Sequence, residues 1–448
     1  MPPSTLTAVP ARGEFRAMLR IAIPLALAEL GWMSMGVVDT IMVGRLPDSA
    51  VSIGAASIGN ALFYVFAIFG LGLMSGLDTL VSQAFGAGDS TGARRALASG
   101  FGLAVCAAPL LAASILAAAP ILALIGVTRA VRIEAVAFVR VLIWGLPLLL
   151  AYSVLRRYLQ ALHYVKPITF ALVTANLVNA AGNWLLIFGH WGLPALGVRG
   201  SALSTVCARV YLAAVMFIAV RHRDPAAFVH MRNLFQGIGK LLRLGFPAAL
   251  TIAFEVGVFN TATALAGTLD PVSLAAHTIA LNAASVTYMV PLGIASAAAV
   301  SVGRAVGAGD RAGAARAGWM ALRISVVFEL FSALGFLVFP RQIARAYTDD
   351  PRVIALAATL LFIAAVFQLF DGLQTVATGA LRGLGNTRTP MVWNLLGYWV
   401  IGLPLGCWLC FVRGWGVIGI WDGLCLALIL IGLGLTAIWQ KASMIIDK

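Results

Sequence analysis

Twelve apolar segments run through this chain, at roughly residues 15–43, 51–80, 93–120, 133–155, 167–189, 196–220, 240–266, 271–302, 314–339, 353–380, 389–412 and 417–440, cut apart by Gly, Pro and clusters of charge. Each is long enough to cross a bilayer, because about 20 apolar residues rising ~1.5 Å apiece span the hydrocarbon. In lipid every backbone N–H and C=O needs a partner within the protein, so such segments are read as helices; the period-two alternation of a transmembrane barrel is missing. With 448 residues, 61% hydrophobic and 11% charged, the chain does not read as a soluble domain. The fold class expected is all-α integral membrane, with twelve transmembrane helices.

A net charge of +14 would point to nucleic acid in a soluble protein. Here the basic residues fall in short connections, where they set orientation. Most of the 31 Lys and Arg lie on one side, Arg94, Arg95, Arg156, Arg157, Arg221, Arg223, Arg304, Arg382, Lys441 and Lys448 among them. A smaller set that includes Arg45, Arg129, Arg132, Arg199 and Arg413 lies on the other, and Arg140 and Arg209 fall inside helices. That bias predicts both termini in the cytoplasm, a lipid bilayer as the surroundings and no nucleic-acid partner. Residues 1–14 are polar and carry no evident cleavable leader. The five cysteines lie within apolar runs, and Cys407-x-x-Cys410 is expected to pack helices rather than to bind metal.

The chain repeats itself. Leu19-Arg-Ile-Ala-Ile-Pro24 answers Leu242-Arg-Leu-Gly-Phe-Pro247 at an offset of 223, and Gly86-Ala-Gly-Asp89 recurs as Gly307-Ala-Gly-Asp310 at 221. The stretch Leu159–Pro167 answers Arg382–Pro390, again at 223. Six spans per half is an even number, so both halves start from the same side and are parallel repeats. The expected domains are an N-lobe at 1–220, a polar cytoplasmic linker at 221–239 and a C-lobe at 240–448. Repeats of this kind build secondary transporters, with a site near the midplane between halves that rock against each other.

Polar residues inside the spans mark the candidate sites. Glu255 sits near the middle of the seventh segment, where an ionisable side chain costs about 2.5–3.5 kcal/mol on insertion scales and is a functional candidate by default. A neutral Glu tied into a helix–helix hydrogen bond is the plainer alternative. On the tenth segment Gln368, Asp371, Gln374 or Thr375, and Thr378 recur every three to four residues and share a helical face. Two carboxylates with amide and hydroxyl oxygens suit a proton or a hard monovalent cation such as Na⁺ at Glu255 and Asp371. In the first half, Asp39 lies toward the outer end of the first segment, Asn176, Asn179 and Asn183 line one face of the fifth, and Ser201, Ser204, Thr205 and Arg209 run along the sixth. Residue counting puts Glu29 and Arg209 at equal depth, so the two are expected to pair.

The Gly-Ala-Gly-Asp repeats lack the Lys-Ser/Thr of a phosphate loop and read as cytoplasmic turns with Asp89 and Asp310 at helix starts. With no nucleotide site and no catalytic constellation in sight, transport driven by an ion gradient is expected and an enzyme is not.

These residues resemble the multidrug and toxic compound extrusion (MATE) family. The runs ELGWMSMGVVDTIMVGRL, GLDTLVSQAFGAGD, SLAAHTIALNAAS, SVGRAVGAGD and GALRGLGNTRTP carry the similarity, which covers about Leu19 to Gln440. The resemblance implies two pseudo-symmetric six-helix bundles in a V and export of small organic, often cationic drugs in exchange for H⁺ or Na⁺. It also implies a monomer in the bacterial inner membrane, with no cofactor beyond the coupling ion. Glu255 and Asp371 match acidic positions of the bacterial NorM-type branch linked to cation coupling, and Asp39 matches the first-helix acid of the N-lobe site. Asn179, Asn183 and Thr205 resemble its polar support; another branch carries Asp where this chain has Asn183. Met33, Met35, Trp32, Phe254, Phe259 and Tyr288 are expected to give loose, polyspecific drug contacts, and His277 of the Ala-Ala-His motif is read as structural. With only Arg140 and Arg209 buried, the central cavity should be acidic or neutral, which argues against the alternative of a lipid-linked saccharide flippase. The internal duplication favours a transporter over an ion channel, the alternative from a different class.

Overall fold

The computed structural model describes residues 11–124 and 126–447, with side chains from 15 to 444. The polar stretch 1–10 and Lys448, both used in the sequence reading, lie outside the described residues. Twelve helices here are long and apolar enough to cross a membrane. They are α1 (Phe15–Val43), α2 (Ser49–Gly86), α3 (Ser90–Leu124), α4 (Arg129–Ala161), α5 (Lys166–Phe188), α6 (Val198–Arg223), α7 (Ile238–Gly267), α8 (Pro271–Gly307), α9 (Arg311–Val338), α10 (Pro351–Gly383), α11 (Arg388–Val412) and α12 (Val417–Met444). No strand occurs among the described residues. The side where α1 begins and α12 ends is the proximal face below, and the other the distal face.

Several helices outrun the apolar segments that announced them. α4 continues to Ala161, α8 to Gly307 and α10 to Gly383. Each continues until a residue with positive φ caps it. In the Gly-Ala-Gly-Asp turns, Gly88 and Gly309 take φ of 73° and 72°, which glycine adopts without the cost of a Cβ. The Asp89 N–H then reaches back to Ala84 O and the Asp310 N–H to Ala305 O, both at 2.9 Å, closing a Schellman turn. The same aspartates start the next helix, with Asp89 Oδ1 accepting from Gly92 N at 2.7 Å and Asp310 Oδ1 from Gly313 N at 2.8 Å. Both stand at helix starts as expected.

The helices gather as two six-helix bundles, α1–α6 and α7–α12, which meet through α1 and α2 on one side and α7 and α8 on the other. Glycine sets the closeness of that seam. A Cβ at Gly86 would lie 2.0 Å from Arg304 O, and one at its repeat mate Gly307 would lie 1.9 Å from Gln83 O, so the last turns of α2 and α8 cross backbone on backbone. Higher up, Gly245 of α7 rests on Leu73 O and Gly293 of α8 on Ala26 N. These approaches run from the middle of the membrane to the proximal face.

Candidate functional site

In the first bundle, three helices bring together the residues that the sequence singled out. Asp39 of α1 is 7% exposed. Its Oδ1 accepts a hydrogen bond from Asn183 Nδ2 of α5 at 2.6 Å, and its Oδ2 one from Thr205 Oγ1 of α6 at 3.2 Å. The chain of contacts continues from Asn183 Nδ2 to Asn179 Oδ1 at 3.4 Å, and Ser204 Oγ donates to Asn179 O at 2.7 Å. A buried carboxylate is tolerable in an apolar bundle because these donors replace water. Asn176 stands apart and bonds Gly31 O and Leu172 O, tying α5 to α1.

In the second bundle, Asp371 of α10 is also 7% exposed, while Glu255 of α7 is half-buried. Tyr288 OH of α8 donates to Glu255 Oε1 at 2.9 Å. Gln374 Nε2 reaches both Asp371 Oδ1 at 3.3 Å and Tyr398 OH of α11 at 2.7 Å, and Thr287 Oγ1 donates to Gln368 Oε1 at 2.9 Å. Thr375 is buried on the same helix, and the side chain of Tyr288 feels the charge of both carboxylates. Glu255, Asp371, Gln368, Gln374 and Thr375 therefore belong to one polar cluster inside the bundle.

The sequence reading missed its third carboxylate. Glu329 of α9 is 1% exposed, packs against Gly372 and is, with Glu255, an electrostatic neighbour of Asp371. A Cβ added at Gly372 would come within 2.7 Å of Glu329 Cγ. Glu329 Oε2 has no hydrogen-bond partner among the described residues. The signal was available, since Glu329 is an acid inside the ninth apolar segment.

Glu29 and Arg209 do not pair. Glu29 accepts from Arg156 of α4, whereas Arg209, 2% exposed, sits with its guanidinium 4.5 Å over the Phe63 ring and reaches Leu142 O at 3.4 Å. Counting residues does not give rotation about a helix axis, and Glu29 faces the space between the bundles.

That space also corrects the expected polarity. A cavity of about 170 Å³ between the bundles is lined by Glu29, Trp32, Tyr152 and three guanidiniums, Arg156, Arg157 and Arg382. The arginines were counted as loop charges because the apolar segments stop short of them; the helices do not. Beneath the cavity Asp78 of α2, fully buried, receives Arg157 Nη1 at 2.5 Å and lies 3.4 Å from Arg382 Nε. Arg140, expected to be buried, is exposed. Of the residues expected to meet a drug, Trp32 lines this cavity, Tyr288 serves Glu255 and Phe259 packs on Phe367 and Tyr398.

His277 is held on both sides. Trp421 Nε1 donates to its Nδ1 at 3.1 Å and Thr263 Oγ1 lies 2.9 Å from its Nε2. Because an indole only donates, the imidazole is the neutral form protonated on Nε2. Among the described residues no three His, Cys, Asp or Glu side chains cluster as a metal site.

Comparison with known proteins accords with this arrangement. The MatE family matches the chain twice, over residues 24–185 and 247–408, so that Pro24 and Pro247 open the two copies. A probable multidrug resistance protein NorM of Mesorhizobium japonicum is 37% identical over 96% of this chain and 94% of its own length. Among solved structures, a eukaryotic MATE transporter superposes with TM-score 0.88 at 22% identity, covering 97% of this chain and 98% of that one. An outward-facing multidrug resistance MATE family transporter superposes with TM-score 0.86 at 19% identity, covering 98% of each chain.

Proposed function

The chain belongs to the MatE family, and from that premise we propose that it is a secondary active multidrug efflux antiporter, exporting organic, often cationic compounds in exchange for H⁺ or Na⁺. The single observation that carries the coupling is Asp371, a 7% exposed carboxylate set beside Glu255 and Glu329 inside an apolar bundle. Carboxylates crowded in a low dielectric cannot all stay charged without a proton or a cation among them. Loading that cluster from outside, with Asp39 as a second site, changes its charge and favours release of a cationic drug. Gln368, Gln374 and Thr375 on one side, and Asn179, Asn183 and Thr205 on the other, supply neutral oxygens. One net charge crossing 100 mV supplies about 2.3 kcal/mol, roughly a fifty-fold drug gradient.

In this reading the lobes are residues 1–220 and 240–448, joined by 221–239, and the proximal face is cytoplasmic in a bacterial inner membrane. The excess of Lys and Arg there supports it. The protein works as a monomer and performs no catalytic step. Ethidium efflux from vesicles under separately imposed proton and sodium gradients identifies the ion. Drug-driven cation counterflow that persists when Glu255→Gln and Asp371→Asn are combined would refute coupling in the C-lobe.

One observation favours a second reading, a flippase for lipid-linked saccharides. Arg156, Arg157 and Arg382 give the central cavity the basic character that a pyrophosphate headgroup needs. Saccharide-lipid translocation in the same vesicles, with no ethidium efflux under either gradient, would replace the first reading with this one.

A further inference from the structure

A large concavity outside the two polar clusters lies on the flank of the first bundle, toward the distal face. It has a volume of about 870 Å³ and is formed by the end of α3, the first four turns of α4 and the start of α6. Its apolar wall includes Leu116, Ile133 and Trp144, which are 40%, 52% and 76% exposed. At membrane depth, exposed side chains of this kind face acyl chains.

Set into that wall are three guanidiniums. Arg132, Val136, Arg140 and Trp144 recur every four residues and so share one face of α4, and Arg199 joins them from the second position of α6. Arg132 and Arg199 stand at the rim, whereas Arg140 is eleven residues into α4, about 16 Å along its axis. Glu134 lies 4.0 Å from Arg199. Among the described residues Arg132 and Arg140 have neither an ion pair nor a side-chain hydrogen bond. A guanidinium at this depth, on the outside of a bundle, needs a negative partner that lipid tails do not offer. Its long stem lets the charge lean toward the headgroup level.

We propose that this groove is a binding site for an anionic phospholipid of the distal leaflet, with the phosphate held by Arg132, Arg140 and Arg199 and one acyl chain laid against Leu116, Ile133 and Trp144. Guanidinium forks match phosphate oxygens geometrically. The occupant is a lipid rather than free phosphate, because the charges open onto an apolar wall. The site lies apart from both carboxylate clusters, so it does not depend on what is transported.

Native mass spectrometry of the full-length protein, released from micelles doped with phosphatidylglycerol or phosphatidylcholine, tests the assignment. The protein is expected to retain phosphatidylglycerol in preference to phosphatidylcholine. Arg140→Gln should weaken retention about fivefold, since each basic side chain near an anionic lipid contributes about that factor. Arg140→Lys should keep most of it, and millimolar inorganic phosphate should not displace the lipid. Arg140 is exposed and has no partner to lose, so the fold should survive both changes. As an independent measure, brominated phosphatidylglycerol should quench tryptophan fluorescence more than brominated phosphatidylcholine, and Trp144→Phe should abolish that difference. Equal retention of the two lipids by the unaltered protein, undiminished retention in Arg140→Gln, or displacement by inorganic phosphate each overturns the proposal.

Discussion

Asp78 of α2 and Arg382 of α10 form an ion pair across the two bundles, 3.4 Å apart, with the carboxylate fully buried and shared with Arg157. Around them Thr79 Oγ1 donates to Arg382 O, Gln83 Nε2 to Gly383 O at 2.9 Å, and Arg304 Nη1 to Ala161 O at 3.4 Å. Every one of these bonds joins the first bundle to the second below the central cavity. We expect these bonds to act as a seal on the proximal face.

Asp78→Asn should loosen that seal, because removing one partner of a buried pair leaves uncompensated guanidiniums at a cost of about 3–5 kcal/mol. In a chain freed of its five cysteines, Ser296→Cys at the cavity wall reports access. Labelling by a membrane-impermeant maleimide from the proximal side should rise when Asp78→Asn is added. Unchanged labelling means that the pair does not hold the face shut.

Gly307→Ala tests the backbone crossing. Its Cβ would meet Gln83 O at 1.9 Å, which no side-chain movement relieves. We expect a loss of about 1–3 kcal/mol, the usual range for overpacking, read as a lower melting temperature in detergent. Gly335→Ala, where a Cβ would meet nothing within 4 Å, should melt like the parent.

Glu329→Gln should lower cation-driven efflux within the range of about 5–150-fold typical of coupling between sites, because it removes the acid behind Asp371. Ser325→Ala alters the same contact with Gly372 and removes no charge. If both variants transport alike, Glu329 is packing only.

Asp224 offers a pH test outside the membrane helices. Partial burial works to raise its carboxyl, but the hydrogen bonds from Arg94 and Tyr158 outweigh it and hold it below the usual carboxylate range. A depressed folded-state value stabilises above the unfolded value of about 3.9 and is lost as pH falls through the folded one. Asp224→Asn should therefore melt earlier at neutral pH, by on the order of 2 kcal/mol. The gap should stay constant down to about pH 4 and close below it. A gap that closes at higher pH contradicts the assignment.

Much of this was legible beforehand where the signal is one-dimensional. Apolar length gave the spans, and the repeated Gly-Ala-Gly-Asp gave the turns, because a positive φ and a helix cap each demand particular residues locally. Asp39 with Asn179, Asn183 and Thr205 was readable because a polar residue in a lipid-crossing helix announces itself. Glu329 was equally visible by that rule and was passed over. The Glu29–Arg209 pair needed the rotation of a helix about its own axis, and the neutral cavity was misjudged because the helices carrying Arg156, Arg157 and Arg382 run past their apolar segments.

By itself, then, the sequence determined how many times the chain crosses the bilayer, where it turns and that its halves are copies, since burial of apolar length and backbone satisfaction depend on local composition. Only the tertiary structure decided which carboxylates share a site and that Arg156, Arg157 and Arg382 line the space between the bundles. Azimuth and close approach, such as Gly86 on Arg304, are set by how whole helices pack, and no local stretch of residues encodes them.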